Sequence, residues 1–464
     1  MLPSFDLWKT GTVAADVLLA SSTDAEGLAV RQRRRLAALL KAAATSSPRY
    51  RRLLKGRDPA SLALQELPIA RKAELMNDFE RWIGSPDIHL DELRRFVADP
   101  ARIGTAYLDR YVVWESSGTS GEPAVFVQDA DAMAVYDALE ALRRPVLRPL
   151  QHFFDPWGMS ERIAFVGATS GHFASTVSIE RLRRLNAAYR NRLFGLSFLQ
   201  PLDRLLDELH ARQPTIVATY PSAAVLLAEQ HRAGRLRIRL NEVWTGGENL
   251  TPAMRQFVEE SFGCPVASSY GASEFLSLAS ECREGSLHLN SDWAILESVD
   301  EHGIAVPAGE LGATVLLTNL ANHLQPLIRY DLGDRIAVHS AVCACGSKLP
   351  VIEVHGRDDD TLSLGARAVS ILPLALTTVL EDDVGLYDFQ LVQESPRRLC
   401  LQTSLSGPSV GPLLQRARSA LEGFLLTQGA TGVRIHCKSG IAAHCGRSGK
   451  MPRVIRRAVQ PAPV

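Results

Sequence analysis

The chain has 464 residues, 46% hydrophobic and 22% charged, which is the composition of a globular protein long enough for at least two domains. Lys plus Arg and Asp plus Glu balance at 51 each, which excludes a global field that would attract nucleic acid or an anionic membrane. Seven cysteines are too few for a disulfide framework, and their odd number fits a reducing compartment, so we expect a cytoplasmic protein.

The amino-terminal region predicts neither a leader nor a membrane anchor. Residues 1–20 lack a cationic stretch that leads into an apolar run, and no apolar span reaches about 18 residues. The first hundred residues are rich in Arg, Ala and Leu, which predicts helices interrupted near residues 46–50 and 67–69.

A cluster of small residues follows an apolar stretch and precedes Pro123. Its members carry hydroxyls or no side chain: Ser116, Ser117, Gly118, Thr119, Ser120 and Gly121. The backbone amides and hydroxyls of such a loop can surround phosphate oxygens, although a plain turn has the same composition. No Gly-Lys-Ser/Thr follows at the required spacing, which excludes a Walker loop.

Between residues 160 and 275 apolar runs alternate with amphipathic patterns. The segments predict strand, helix, strand, helix and strand at 162–167, 202–209, 215–220, 222–231 and 242–245. A helix capped by Thr251, with Pro252 as its first residue and Gly263 just past its end, and a strand at 265–270 follow. This alternation predicts a parallel sheet with right-handed crossovers. Such sheets bind ligands beyond the carboxyl ends of their strands, where residues 246–248 and 270–274 stand.

The last part of the chain has a different pattern. Short strands are predicted at 313–318, 336–339 and 351–354, the charged residues 356–360 read as an exposed linker, and the remainder predicts strand, strand, helix and strand at 387–393, 399–403, 412–427 and 433–438. We therefore expect an α/β protein with a large amino-terminal domain, residues 1–357, of mixed or parallel sheets and helices. A small α+β domain, residues 358–464, would follow on a hinge.

Six segments stand in a fixed order along the chain, at 116–123, 246–248, 270–274, 329–334, 356–360 and 448–453. This series resembles the adenylate-forming superfamily of acyl-CoA synthetases, adenylation domains and luciferases, over nearly the whole chain. The compact length, residues 46–50 and 72–76 and a hydrophobic-Arg-Tyr-x-x-x-Asp core resemble the phenylacetate–CoA ligase and coenzyme F390 synthetase branch. The chain departs from the family pattern at two places. It has Glu122 in the loop region where many members have a basic residue. It also has Asp-Leu-Gly-Asp at 331–334, which favours the F390-synthetase-like relatives.

The resemblance implies ATP-dependent activation of a carboxylic acid as acyl-AMP, followed by transfer to CoA. It assigns the 116–121 loop to the β- and γ-phosphates of ATP, and Gly246, Gly247 and Glu248 to the adenine. Around the same nucleotide it assigns Tyr270 to stacking on the base, the backbone of Ser269, Gly271 and Ala272 to the base edge, and Ser273 to the α-phosphate. Glu274 would be the Mg²⁺ ligand, since one carboxylate plus phosphate oxygens suits that ion.

Further roles fall in the second half of the chain. The resemblance assigns Asp334 to the ribose hydroxyls, Arg357 to ribose or phosphate, Asp359 to the hinge and Lys450 to the mobile lysine that reaches the α-phosphate. Each residue also has an ordinary interpretation. Glu274 would then be a carboxylate at a helix amino terminus, Lys450 a surface lysine and Asp334 a turn residue.

The acyl pocket of relatives lies near positions that match residues 168–175, Tyr220 and Gly246. His172 would orient the incoming carboxylate as a catalytic residue, or it would be a satisfied loop histidine. Tyr220 and Phe173 favour an aryl or medium acyl acid.

Four further residues form a set of tetrahedral metal ligands: Cys282, His288, Cys343 and Cys345. Three thiolates and one imidazole suit a structural Zn²⁺, and some members of the phenylacetate-ligase branch carry a comparable site. The alternative is buried thiols in short strands. A rival set, His436 and Cys437 with His444 and Cys445, has less support because adjacent residues of a strand face opposite sides.

We therefore expect an AMP-forming acid–thiol ligase that uses ATP, Mg²⁺ and CoA, with Zn²⁺ as a structural ion. Two alternatives stay open: an adenylating enzyme that loads a carrier-protein phosphopantetheine or another acceptor in trans, and a non-catalytic nucleotide-binding relative. The expected partners are a small carboxylic acid and CoA or a carrier, without nucleic acid or membrane, and a homodimer is left open.

Overall fold

The amino-terminal quarter of the chain is helical in the computed structural model, as its composition predicts. The structure describes residues 6–59, 61–116, 123–155, 158–248, 250–340, 342–355, 362–371, 373–386, 388–441 and 454–456. The first helices are α1 (Leu7–Ser21), α2 (Ala25–Ser46), α3 (Pro48–Leu53), α4 (Lys72–Asn77), α5 (Phe79–Trp82) and α6 (Leu90–Val97), with 3-10 turns at Leu64–Glu66 and Pro100–Arg102. Asp6, Asp24 and Ser47 cap the first three helices by accepting bonds from first-turn amides.

An antiparallel pair of strands flanks the small-residue loop. β1 (Val112–Glu115) pairs with β2 (Val125–Gln128), and the helices α7 (Ala130–Leu142) and α8 (Pro149–Phe154) follow. The loop therefore closes a hairpin instead of opening a helix.

The predicted parallel sheet is confirmed. Its strands are β3 (Ile163–Gly167), β4 (Leu193–Ser197), β5 (Ile216–Thr219), β6 (Glu242–Thr245) and β7 (Val266–Ala272). The connecting helices are α9 (Ala174–Leu185), α10 (Ala187–Arg190), α11 (Leu202–Arg212), α12 (Pro221–Arg232) and α13 (Pro252–Phe262). Thr251 caps α13, Pro252 is its first residue, and Gly263 ends it at φ +64°, the left-handed conformation that favours glycine.

Beyond β7 the same sheet becomes antiparallel. The next strands are β8 (Phe275–Glu281), β9 (Leu287–Leu289), β10 (Ala294–Val299), β11 (Thr314–Asn319), β12 (Tyr330–Asp331), β13 (Ile336–His339) and β14 (Val351–Val354). The large sheet has the order β13-β14-β9-β8-β7-β6-β5-β3-β4, and β10-β11-β12 form a separate sheet. The β7–β8 hairpin thus joins the parallel half to the antiparallel half.

The carboxyl-terminal unit, the described residues between 362 and 456, has the predicted α+β composition. It consists of β15 (Leu362–Leu364), β16 (Val369–Ile371), α14 (Pro373–Thr378), a π-helical turn at Val379–Asp383, β17 (Gln390–Ser395), β18 (Arg398–Gln402), α15 (Val410–Thr427), β19 (Arg434–Lys438) and β20 (Val454–Arg456). Its main sheet has the order β19-β18-β17-β20. The boundary predicted at 357/358 and the hinge residue Asp359 lie outside the described residues, so the two-domain division stays a prediction.

Buried apolar side chains connect the carboxyl-terminal unit to the large sheet. One cluster contains Val166, Leu205 and Leu227 together with Leu376 and Phe424. A second cluster packs the amino-terminal helices and β1–β2 against the antiparallel strands. Burial of this apolar surface is the main favourable contribution to folding. Among the described helices, none is both long and apolar enough to cross a membrane.

Candidate active site and metal centre

The turn between β7 and β8 carries the predicted residues Ser273 and Glu274. The indole nitrogen of Trp114 donates to the Ser273 carbonyl at 2.7 Å, and the Asn319 amide donates to the Glu274 carbonyl at 2.9 Å. Both donors come from distant parts of the chain, so the core of the fold fixes the turn. The interpretation of Glu274 as a carboxylate at a helix amino terminus is therefore wrong, because strands flank it on both sides.

Gly271 shows how tightly this hairpin is built. A Cβ atom at this position would lie 1.9 Å from the Leu276 carbonyl oxygen, so only glycine fits. The register between the two strands also shifts between Tyr270 and Ala272. Such a bulge re-aims the side chains next to it, here those of the predicted adenine segment.

Tyr270 and Asp334 meet at the same end of the sheet. The Tyr270 hydroxyl donates to Asp334 Oδ2 at 2.7 Å, although 64 residues separate the two in the chain. The turn before Asp334 is held by Asp331, which accepts from the Gly333 amide at 2.9 Å. Asp331 thus performs the turn role considered for Asp334, and Asp334 joins the predicted base-stacking residue.

The carboxyl group of Glu274 lies among charged and polar neighbours. Desolvation raises its pKa, and the charge of Asp334 acts in the same direction. A hydrogen bond with Tyr330 and the charge of Lys72 lower it. A carboxyl group that is costly to ionise in the protein alone is suited to binding a cation, which supplies the missing positive charge.

Lys72 is the site residue to which the sequence analysis gave no role. It begins α4 two residues after Ala70, whose amide donates to the Arg329 carbonyl at 2.9 Å and whose carbonyl accepts from the Asp331 amide at 3.0 Å. Arg329 in turn donates to Glu297 and to the Leu67 carbonyl. This pairing brings Lys72 to Glu274. The signal in the sequence was residues 72–76, which served only to identify the branch.

Gly246 and Gly247 form a flat surface after β6. A Cβ atom on Gly246 would lie 3.1 Å from the Ser269 hydroxyl, and one on Gly247 would lie 3.0 Å from the Tyr220 ring. Gly247 also has a φ of +80°. The Tyr220 ring packs edge-on against Phe198, with 5.8 Å between ring centroids. The two glycines thus let the backbone after β6 approach Ser269 and Tyr220 closely, and contact of this segment with the adenine stays a prediction.

The base of the predicted phosphate loop is closed by Ser116. Its amide donates to the Ala124 carbonyl at 2.9 Å, and its hydroxyl oxygen accepts from the Ala124 amide at 2.9 Å. The hydroxyl proton is still available for a phosphate oxygen. Seven further residues that are predicted to bind the nucleotide lie outside the described residues: Ser117, Gly118, Thr119, Ser120, Gly121, Arg357 and Lys450.

His172 is a core residue in this structure. It is 1% exposed, and its ring lies 5.6 Å from that of Phe96. Burial lowers its pKa, while the backbone of Arg102 and Val97 acts in the opposite direction. Among the described residues neither ring nitrogen has a hydrogen-bond partner of good geometry, so the satisfied loop histidine is not confirmed, and direct contact with a carboxylate stays a prediction.

The four predicted zinc ligands converge. The ligand atoms of Cys282, His288, Cys343 and Cys345 all lie within 4.8 Å of one another. The two sulphurs of Cys282 and Cys343 are 3.9 Å apart, and Cys345 Sγ is 3.3 Å from His288 Nε2. The turn after β8, the strand β9 and the loop before β14 supply them, which explains how residues some 60 positions apart meet.

The surroundings of these ligands favour a metal as well. His288 Nδ1 lies 2.8 Å from the Leu349 carbonyl, so Nδ1 carries the proton and Nε2 faces the sulphurs. The Ser347 amide donates to Cys345 Sγ at 3.4 Å. The backbone amide of Cys345 lowers the pKa of the Cys343 thiol, which favours a thiolate there, while burial raises the pKa of the Cys345 thiol, so a bound metal would have to stabilise the second thiolate.

The two described members of the rival set, His436 and Cys437, have different partners. Cys437 donates to the Leu414 carbonyl and so faces α15, while His436 Nε2 lies 3.4 Å from Glu394. The two side chains thus point to opposite faces of the sheet, as the strand geometry predicts. His444 and Cys445 lie outside the described residues.

Comparisons with known proteins agree with this fold. The family model described as AMP-binding enzyme matches residues 195–312, which include Gly246 to Glu248 and Ser269 to Glu274. The chain is similar to 2-hydroxyisobutyryl-CoA ligase in complex with 2-HIB-AMP and CoA in the thioesterification state. The TM-score is 0.58 at 22% identity, over 94% of this chain and 91% of that chain. An open conformation of the same ligase with the same ligands gives a TM-score of 0.51 at 21% identity, over 91% and 90%.

A curated relative is similar to a smaller part of the chain. Protein CapK of Staphylococcus aureus is 21% identical over 312 residues, which are 64% of this chain and 64% of CapK. The match thus spans less than two thirds of that relative. The chain has the fold of the adenylate-forming superfamily, as its sequence predicts. The phenylacetate–CoA ligase and F390 synthetase branch stays a prediction.

Proposed function

We propose that the chain is an AMP-forming acid–thiol ligase. It would join a carboxylic acid to the α-phosphate of ATP with loss of pyrophosphate, and then transfer the acyl group from AMP to the thiol of CoA. The observation that carries the proposal is the convergence of Glu274, Asp334, Tyr270 and Lys72 at one end of the sheet, next to the Gly246–Gly247 surface. The similarity to ligases whose structures contain an acyl-AMP and CoA supports it.

In the first half-reaction the protein would mainly position reactants and neutralise charge. The base would lie against Gly246 and Gly247 and stack on Tyr270, and the ribose hydroxyls would donate to Asp334, whose orientation the Tyr270 hydroxyl fixes. Lys72 and Ser116 would contact the phosphates. Lys72 thus provides the cation that is missing from the small-residue loop. Lys450 would stabilise the charge that develops on the α-phosphate.

The residues around Glu274 fit a magnesium ion. Oxygen ligands and phosphates suit Mg²⁺, and burial raises the pKa of the Glu274 carboxyl although the charge of Lys72 acts in the opposite direction, so a bound cation would favour its ionised form. When bound, the ion would neutralise negative charge on the phosphates. The Cys/His set fits Zn²⁺, and we propose a structural ion there, since four protein ligands leave no open position for chemistry.

The acid would be an aryl or medium acyl acid, on the basis of Phe173 and Tyr220.

The test is mass-spectrometric detection of products from ATP, Mg²⁺ and a panel of aryl and alkyl acids, with and without CoA. We expect AMP, pyrophosphate and one acyl-CoA. Acyl-AMP that persists in the presence of CoA would indicate that the acceptor is another group, such as a carrier-protein thiol, and not CoA. The absence of AMP with every acid, for a folded protein that still binds ATP by calorimetry, would contradict the ligase and favour a nucleotide-binding relative.

A further inference from the structure

Two carboxyl groups interact electrostatically where the carboxyl-terminal unit meets the large sheet. Glu115 is the last residue of β1, directly before the small-residue loop, and its amide donates to the His172 carbonyl at 2.8 Å. Asp382 belongs to the π-helical turn of the carboxyl-terminal unit, and its Oδ2 accepts from the Ser170 hydroxyl at 3.2 Å. The contact joins residues 212 positions apart.

This pair lies where three parts of the proposed site meet. Glu115 adjoins the loop proposed for the phosphates. Ser170 belongs to the segment 168–175 that frames the acyl pocket. Asp382 comes from the unit that lies across the cleft. In the proposed ligase the acyl group would lie beside the segment 168–175, so a thiol that reaches it along the carboxyl-terminal unit would pass Ser170 and Asp382.

The charges around the pair favour a proton acceptor of intermediate strength. Burial and then the charge of Asp382 raise the pKa of Glu115 to about 7. Desolvation by the surrounding protein raises the pKa of Asp382 to about 6. The charge of Asp383 acts in the same direction, and the hydrogen bond from Ser170 acts in the opposite one. Among the described residues no cation contributes to either shift. General bases work best with a pKa near the working pH, which an ordinary carboxylate lacks.

We propose that the Glu115–Asp382 pair accepts the thiol proton in the second half-reaction. The S–H bond breaks as the proton moves to a carboxylate oxygen of the pair. The sulphur forms a bond with the acyl carbon, the bond from that carbon to the phosphate oxygen breaks, and AMP leaves with the electron pair. The proton then passes to water. This inference rests on the proposed ligase function and gives these residues a role that the phosphate-binding loop does not provide.

The experiment measures thioester formation in a single turnover, from enzyme-bound acyl-AMP of an acid that the product panel identifies. For wild type the rate should rise with pH and level off near pH 7, as the pair loses its proton. Glu115→Gln should lower the rate by on the order of 100-fold at neutral pH, relative to the adenylation rate of the same variant. Its rate should continue to rise up to the pKa of the thiol. Asp382→Asn removes the charge that raises the Glu115 pKa, so the midpoint should move to lower pH.

Thiols of different acidity separate a proton acceptor from a structural role. The deficit of Glu115→Gln should shrink when N-acetylcysteamine is replaced by a more acidic aryl thiol, which needs less help to ionise. The matched control is Gln428→Ala, which removes a bond to the Gln200 carbonyl, at 2.9 Å, between the same two parts of the chain. It should slow the reaction by one factor at every pH and with every thiol.

An equal deficit of Glu115→Gln with both thiols, together with an unshifted pH midpoint, would overturn the proposal. Failure of the ligase function itself would look different, because no AMP would form with any acid. The retention of adenylation by the Glu115 and Asp382 variants thus shows which of the two inferences has failed.

Discussion

The two ends of the β7–β8 hairpin differ in how their polar side chains are satisfied. β8 has seven residues, so about 20 Å separate its ends. At the far end Cys282 joins three other ligand-type side chains that face one another within 4.8 Å. At the near end, Lys72 is the cation among the described residues that acts on the desolvated carboxyl of Glu274.

The difference indicates two kinds of function on one structural element. A closed set of four ligands, already oriented by the Leu349 carbonyl and the Ser347 amide, is typical of a site that stabilises the fold. A carboxyl group held by backbone anchors and short of counter-charge is typical of a site that binds a ligand. Changes at one end should therefore affect activity, and changes at the other end should affect stability.

The largest effect on activity is expected for Glu274→Gln. The substitution removes the proposed magnesium ligand, and we expect ATP–pyrophosphate exchange to fall by on the order of 100- to 1000-fold. Thermal unfolding should be unchanged or shifted upward, because the amide is cheaper to bury than the carboxylate. Full exchange activity of Glu274→Gln would refute the assignment of the near end.

The largest effect on stability is expected for Cys345→Ser. Binding of a structural metal contributes to the free energy of folding, so loss of one ligand should lower the free energy of unfolding by about 3 kcal/mol. Elemental analysis should show the loss of one zinc per chain. The buried Cys264, between α13 and β7, provides the control, since Cys264→Ser should retain that zinc.

Pyrophosphate exchange of Cys345→Ser should follow the folded fraction, if the two ends act independently. A loss of exchange greater than the loss of folded protein would show that the metal centre also shapes the turn at Glu274. Equal zinc content in Cys345→Ser and wild type would rule out the Cys/His site.

A smaller effect on activity is expected for Lys72→Met. Removal of a cation beside the phosphates and Glu274 should lower exchange by roughly 10- to 100-fold and raise the KM for ATP. Lys72→Arg retains the charge and should recover part of the loss. If Lys72→Met and wild type exchange at the same rate, Lys72 serves only the fold.

Local patterns in the sequence predicted the parts of the fold that depend on neighbouring residues. The apolar runs gave β3, β5, β6 and β13 within about a residue of their ends, and the cap of α13 was read from Thr251, Pro252 and Gly263. Each of these signals lies within one element. The order of the six segments added the resemblance to the adenylate-forming superfamily, because those segments are spread over the whole chain.

The contacts that complete the site join distant residues and escaped prediction. The pairing of Ala70 with Tyr330 brings Lys72 to Glu274, and the bonds from Trp114 and Asn319 hold the turn. Neither has a local pattern, because each depends on the register of strands that the tertiary fold brings together. The Cys/His set is the exception, because its distant residues were predicted to meet. Three thiols and one imidazole have few chemical roles together other than binding a metal.

The smallest effect is expected for Tyr270→Phe, which tests the near end most finely. The substitution retains the ring that would stack on the base and removes the hydroxyl that donates to Asp334 at 2.7 Å. A typical hydrogen bond contributes about 0.5 to 1.5 kcal/mol, so the KM for ATP should rise by roughly 2- to 12-fold with less change in kcat. 2′-Deoxy-ATP and 3′-deoxy-ATP provide the control. Because Asp334 would bind the ribose hydroxyls, the penalty of Tyr270→Phe should be smaller with at least one of them. An equal penalty with all three nucleotides would mean that Tyr270 acts on the base alone and that Asp334 has another role.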